Sequence, residues 1–357
     1  MQYTNADKNY RSLCNRIGAA LLMFYVIFNV LSVGITTSQE LIGMVFPSDL
    51  IDTVLSLAYY ASYLFAFMFP VLFFKLISKK HPFPDMKLDF KWKHELWIII
   101  PAALGINFLM AEINFIVLSP LDFDQVVSMP VPEKYHAYNF ILDTIGTAMV
   151  PAFCEEFLFR GLILCSLLPY GKKTAIYGSA VLFGLMHQNP GQIIYTAVLG
   201  IILGYIAVET GSIWGGIILH FLNNFVSVVM AAFVYVLPEN IGTLIYNVIF
   251  WGVMAIGLVL SVILIAIHSI RHAKKRRRER DALVPVVAEG TYSDGLMGVS
   301  NLSLNDEKNK FKLSRGYAAR GFFAPLNLVF MILAVVNMVS LIAMAILMKL
   351  GALNGLL

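Results

Sequence analysis

Three polar groupings stand inside otherwise apolar stretches of this chain: Glu155-Glu156-x-x-x-Arg160, Phe183-x-x-x-His187 and His220-x-x-x-Asn224. Carboxylate, imidazole and amide groups move protons and hold polar ligands. A charged side chain at mid-bilayer costs about 2.5–3.5 kcal/mol on insertion scales, so such groups face a protein-lined or water-filled cavity and carry function. Their chemistry would be that of a polar site built within a membrane.

Helical geometry sorts these residues. Arg160 lies one turn after Glu156 and can pair with it on one face, whereas Glu155 is rotated by about 100° and is left without that partner. Pro151, four residues before Glu155, cannot donate to the helix ladder and loosens the helix there. Phe183 and His187 share a face at the end of an apolar segment, 174–187, that is too short to span comfortably. With the polar turn Gln188-Asn189-Pro190-Gly191 it reads as a helix that stops within the protein. His220 and Asn224 also share a face, with Asn223 beside them. Each grouping has a plainer reading: the two glutamates and Arg160 as a buried charge network, His187 as a structural histidine, and His220 with Asn224 as an interhelical hydrogen-bonding pair.

The elements that must position these residues are membrane helices. The chain has 357 residues, 59% hydrophobic and 13% charged, which excludes a soluble enzyme. Apolar runs near 17–37, 53–77, 96–118, 137–168, 174–187, 191–208, 212–236, 243–268 and 325–349 predict an all-α, polytopic bundle of eight to nine transmembrane helices around an intramembrane cavity. No small-residue cleavage site follows the first run, so it is expected to be a retained span rather than a removable signal peptide. Cys14, Cys154 and Cys165 are too few and scattered for a disulfide framework or a metal cluster. The connecting segments 75–93, 172–173 and 271–320 are basic, and 38–52, 119–136 and 237–242 are not, an alternation that places the N-terminus in the cytoplasm. In a bacterium the membrane would be the plasma membrane. Seven of the 26 Lys and Arg residues fall in Arg271–Arg280. That cluster reads as a topology signal touching anionic lipid head groups, not as a nucleic-acid site. Asp281–Ser314 reads as a flexible linker, and Asn301-Leu302-Ser303, on the cytoplasmic side, is not a usable glycosylation acceptor. The expected organisation is an N-terminal three-span region (1–136), a catalytic membrane core (137–236), a further span (237–270), a basic cytoplasmic linker (271–324) and a C-terminal span (325–357).

Taken together and in order, E-E-x-x-x-R, F-x-x-x-H and H-x-x-x-N resemble the pattern of the CAAX-processing and bacteriocin-processing (CPBP, or Abi) family of membrane proteases. The resemblance covers roughly Ala137–Val236. It implies an intramembrane glutamate endopeptidase acting near the cytosolic side of the bilayer on a membrane-associated, in some members prenylated, protein or peptide. By the same implication Glu155 is the base that activates water, His187 helps position or deprotonate that water, and His220 and Asn224 donate hydrogen bonds to the oxyanion. Glu156 and Arg160 are the supporting pair, with Phe183 completing the second motif. No cofactor is expected. The zinc-dependent alternative would use Glu155, His187 and His220 as ligands. No H-E-x-x-H helix or G-x-S-x-G elbow is present, and Asp143 is the sole aspartate within an expected span. A transporter would also carry intramembrane charges but usually shows inverted repeats, and none is found. A non-catalytic peptide-immunity protein is the other alternative. Counting about 1.5 Å per residue from the cytoplasmic ends puts Glu155 and His187 at about 20 Å depth and His220 at about 12 Å.

Overall fold

The computed structural model describes residues 4–78, 84–121, 135–288, 313 and 317–349. Among them the secondary structure is helical, with no strand. Helix α1 (Asn5–Thr37) opens on a capping box, in which Asp7 N donates to Thr4 Oγ1 and Thr4 N to Asp7 Oδ2. The short α2 (Gln39–Val45) leads into α3 (Ser48–Ile77), followed by α4 (Leu96–Leu118). Helix α5 (residues 137–167) is interrupted and is described below. It is followed by α6 (Lys172–Met186), α7 (Pro190–Thr210), α8 (Trp214–Val236), α9 (Glu239–Ala288), α10 (Tyr317–Phe322) and α11 (Pro325–Lys349).

Seven helices among the described residues are long and apolar enough to cross a membrane: α1, α3, α4, α7, α8, α9 and α11. The protein is an all-α, multi-pass integral membrane protein, as the apolar runs implied. The other two expected spans are special cases: 137–168 becomes the interrupted α5, and 174–187 becomes the fifteen-residue α6. Large aliphatic side chains such as Val259, Val262 and Ile265 of α9 point outward, as lipid-facing positions do. In lipid only structures that satisfy their own backbone are viable, which favours this helical solution.

The helices pack as two apolar groups that share the middle of the chain. One joins α1, α3, α5, α6 and α11 around Tyr10, Phe24, Phe67, Phe159 and Phe330. The other joins α4, α7 and α8 around Leu96, Ile100, Leu203 and Leu219. Helices α4 and α9 cross where Gly105 meets Gly257. A Cβ on Gly105 would fall 2.4 Å from the Gly257 Cα, so the small residues set the close approach. At the far end of the sequence, α11 returns to the centre: Asn337 Nδ2 donates to Gln188 Oε1 at 3.2 Å, in the turn after α6.

The basic run differs from its expected form. Arg271–Arg280 continues α9 as helix, because Ala, Lys, Arg and Glu are good helix formers and nothing at residue 271 breaks the ladder. Residues 281–288, expected as flexible linker, are helical as well and form the end of α9, while the rest of that linker, including the Asn301 motif, lies outside the described residues apart from residues 313 and 317–324.

Candidate active site

The sequence of α5 explains its interruptions. Ala137–Asp143 is α-helical, Thr144–Met149 opens to a π register, Val150–Glu156 is α-helical again, and Phe157–Leu164 is a second π segment. Pro151 sits in the first turn of the middle α segment, where its missing N–H is best tolerated. Segments of π-helix concentrate at functional sites, and here they flank the turn that carries both glutamates.

Pro151 has no backbone donor to offer the carbonyls of the preceding turn. Asn224 of α8 supplies one: its Nδ2 donates to Thr147 O at 3.1 Å. Its own orientation is held by a relay of amides. Asn223 Nδ2 donates to Asn224 Oδ1 at 3.1 Å, and Asn107 Nδ2 of α4 donates to Asn223 Oδ1 at 2.7 Å. Replacing Asn224 with alanine should therefore destabilise the protein by about 1–2 kcal/mol, the usual cost of an unmet polar group. In a Pro151→Ala background, where the backbone regains its donor, the same change should cost less. A double-mutant cycle by thermal unfolding in detergent measures that coupling.

Glu156 and Arg160 pair as their spacing predicted, with Nη1 to Oε1 at 2.7 Å and both side chains fully buried. Arg160 Nη2 also donates to Gly200 O of α7 at 3.1 Å, and its guanidinium lies 4.3 Å above the centre of the Phe183 ring. Phe183 is the hub of the second motif. Its ring meets those of Phe159, His187 and His220 edge-on, at 5.2, 5.1 and 5.8 Å between centroids. His187 Nδ1 donates to Phe183 O at 2.9 Å, a contact that assigns the proton to Nδ1 and leaves Nε2 as an acceptor. Helix α6 stops here. Gln188 takes a positive φ of 52°, and Asn189 caps α7 by accepting from Gly191 N.

His220 stands between the two carboxylates. Its Nδ1 is 3.1 Å from Glu156 Oε1, and its Nε2 is 3.9 Å from Glu155 Oε2. The side chains of Glu155 and His220 thus meet despite the unequal depths counted from the sequence. Helix α8 leaves room for this approach at Gly216, where a Cβ would come within 2.9 Å of Glu156 Oε2. Glu155 is buried and does not pair with Arg160. Its Oε1 accepts a hydrogen bond from the Tyr63 hydroxyl of α3, and its Oε2 accepts none among the described residues. Tyr63 is a contact sequence reasoning did not find, since it lies 92 residues away in a helix without a motif.

The structure thus brings Glu155, Glu156, Arg160, Phe183, His187 and His220 into one connected set, and places Asn224 one turn along α8, on the Thr147 carbonyl. Fold and site together define a multi-pass helical membrane protein with glutamates and histidines buried among its helices. Residues 137–226 match the family model described as type II CAAX prenyl endopeptidase Rce1-like. All three motifs fall within that segment, so the resemblance to the CPBP and CAAX protease family holds where the motifs lie. The matched family is one of peptidases, and the segment is similar to intramembrane CAAX-type endopeptidases in general terms. No curated protein and no solved structure matches the chain.

Proposed function

We propose that this protein hydrolyses a peptide bond of a membrane-associated protein or peptide, of the CAAX-terminal or bacteriocin and pheromone type, with water activated by Glu155. One observation carries the reading: Glu155 is buried with one carboxylate oxygen held by Tyr63 and the other, Oε2, without a donor among the described residues and facing His220 Nε2. Oε2 accepts a proton from water as its oxygen attacks the scissile carbonyl, and the carboxyl returns that proton to the departing amine. His187, with Nδ1 committed to Phe183 O, offers Nε2 as the acceptor that orients the water. A donor role for His220 Nε2 toward the oxyanion requires a proton on both ring nitrogens, because Nδ1 already faces the Glu156 carboxylate. The two flanking carboxylates balance that charge. Asn224 Nδ2 has a second hydrogen beyond the one given to Thr147, and it is the further donor.

The metal-free mechanism is preferred over zinc because hydrogen-bond donors around a single base account for the motif, and Asn224 is a poor zinc ligand. The cytoplasmic placement of the N-terminus is supported by convergence of two basic segments. Lys93 Nζ donates to Glu209 O at 2.5 Å, and Lys172 Nζ lies 2.6 Å from Glu209 Oε1. The two basic segments therefore share one side of the bundle, as the proposed alternation of loops requires.

Comparative peptidomics of membranes carrying the wild type or Glu155→Gln, at matched expression and with or without a zinc chelator, tests the proposal. Peptides specific to the wild type that persist in chelator are expected, and their ends identify the substrate. Loss of those peptides in chelator would turn the mechanism to zinc. Identical profiles from wild type and variant would overturn the protease reading.

A further inference from the structure

The chain outside the matched segment contributes to the site through α3. That helix carries Tyr59, Tyr60 and Tyr63, and two of these hydroxyls reach carboxylates of α5. Tyr60 donates to Asp143 Oδ1 at 3.1 Å and lies 3.3 Å from Thr147 Oγ1, while Tyr63 donates to Glu155 Oε1. The two helices touch closely at Gly146, where an added Cβ would fall 2.3 Å from the Tyr60 ring. Only a residue without a side chain lets α3 lie against the first π segment in this way. Asp143 is gripped from the other side by Tyr135, whose hydroxyl donates to Oδ2 at 2.8 Å.

The Tyr63 ring is itself braced. It packs edge-on against Phe28 of α1 at 5.8 Å and tilted against Phe67 at 4.8 Å, and Phe24 closes the cluster on Phe67 at 4.6 Å. A phenol has few rotatable bonds, and this packing leaves the hydroxyl little freedom. A carboxylate held at one oxygen can no longer flip or rotate freely, so its second oxygen acquires a defined direction. For Glu155 that second oxygen is Oε2, which meets His220 Nε2 at 3.9 Å and accepts no hydrogen bond among the described residues.

We infer that Tyr63 is a positioning residue of the active site: its hydroxyl fixes Glu155 Oε1 so that Oε2 is the oxygen presented to water. The inference rests on the protease reading of Glu155 and extends that site to a helix the family match does not reach. Tyr63 acts through Glu155, touching neither substrate nor water. Its loss should therefore lower kcat while leaving KM alone, because misorientation of a base weakens the transition state and not substrate binding.

The experiment uses the full-length protein in bilayers and a peptide recovered from the peptidomic comparison. Tyr63→Phe is expected to lower kcat by about 10- to 100-fold with KM within about twofold of the wild type. Tyr60→Phe, which loses a hydroxyl from the same helix without touching Glu155, controls for packing and should retain nearly full kcat. Added to Glu155→Gln, Tyr63→Phe should cause no further loss of residual activity, whereas a purely structural role would make the two losses multiply. A second readout is independent of turnover: the carboxylate infrared band assigned to Glu155 should shift in Tyr63→Phe and stay in place in Tyr60→Phe. Wild-type turnover with an equally active Tyr63→Phe, an unmoved Glu155 band, or multiplying losses would each overturn the inference alone. A wild type that cleaves nothing would overturn the protease reading and this inference with it.

Discussion

Arg160→Met should destabilise the protein by about 3–5 kcal/mol, the cost of leaving a buried carboxylate without its counter-charge. The argument is geometric. Arg160 is fully buried, pairs with Glu156 at 2.7 Å, donates to Gly200 O at 3.1 Å and covers the Phe183 ring, so three helices meet on one guanidinium. Removing it leaves Glu156 only His220 Nδ1, 3.1 Å from Oε1, as a polar side-chain neighbour among the described residues, and its Oε2 already accepts no hydrogen bond there. A lysine would not repair the site. Its ammonium is a point charge on a flexible stem, and it cannot present two donors in one plane while stacking on an aromatic face. The double variant Glu156→Gln with Arg160→Met removes both charges and should recover part of the loss. Thermal unfolding of the purified proteins in detergent measures all three. An Arg160→Met protein as stable as the wild type would show that the pair is dispensable for packing.

Glu155→Asp is expected to cost almost as much activity as Glu155→Gln, about 10²- to 10⁴-fold in kcat/KM for each. The aspartate keeps the charge but withdraws the carboxylate by one methylene, away from both the Tyr63 hydroxyl and His220. Misplacement by about 1 Å can cost a factor of about 10². The glutamine keeps the length and an acceptor for Tyr63 but has no basic oxygen. Both proteins should fold, because neither change disturbs the Glu156–Arg160 pair. Cleavage kinetics on a peptide identified by the peptidomic comparison decide the matter. An active Glu155→Gln would remove Glu155 from the role of base.

The sequence carried more of the site than of its surroundings, and the reason is periodicity. The i,i+4 spacing of Glu156 and Arg160 is a local geometric rule, and it predicted a pair the structure contains. Likewise the shortness of the segment ending at His187, followed by Gln188-Asn189-Pro190, announced a helix that stops inside the protein. Counting depth at a constant rise did not foresee that Glu155 and His220 meet. The Phe157–Leu164 stretch is a π segment, whose turns hold more residues, so less height is gained per residue than in an α-helix, and a constant-rise count overstates the depth of Glu155. Tyr63 was illegible for a different reason. Its contact spans 92 positions, and nothing in Tyr59, Tyr60 and Tyr63 says which hydroxyl meets which acid. Asn224 was legible as a site residue, but its hold on the Thr147 carbonyl emerges only once Pro151 and α8 are seen side by side.

The hydrogen bond from Asn337 to Gln188 bears on how the protein is made. Membrane helices are inserted in order as the ribosome produces them, and α11 is the last helix described. The turn beside His187 thus lacks one of its ties until α11 has been translated. Tyr63 waits in the bilayer long before Glu155 is synthesised, and the brace on the His187 turn arrives after both. A nascent chain holding every motif residue is still an unfinished site, and its geometry is completed only once α11 has joined the bundle.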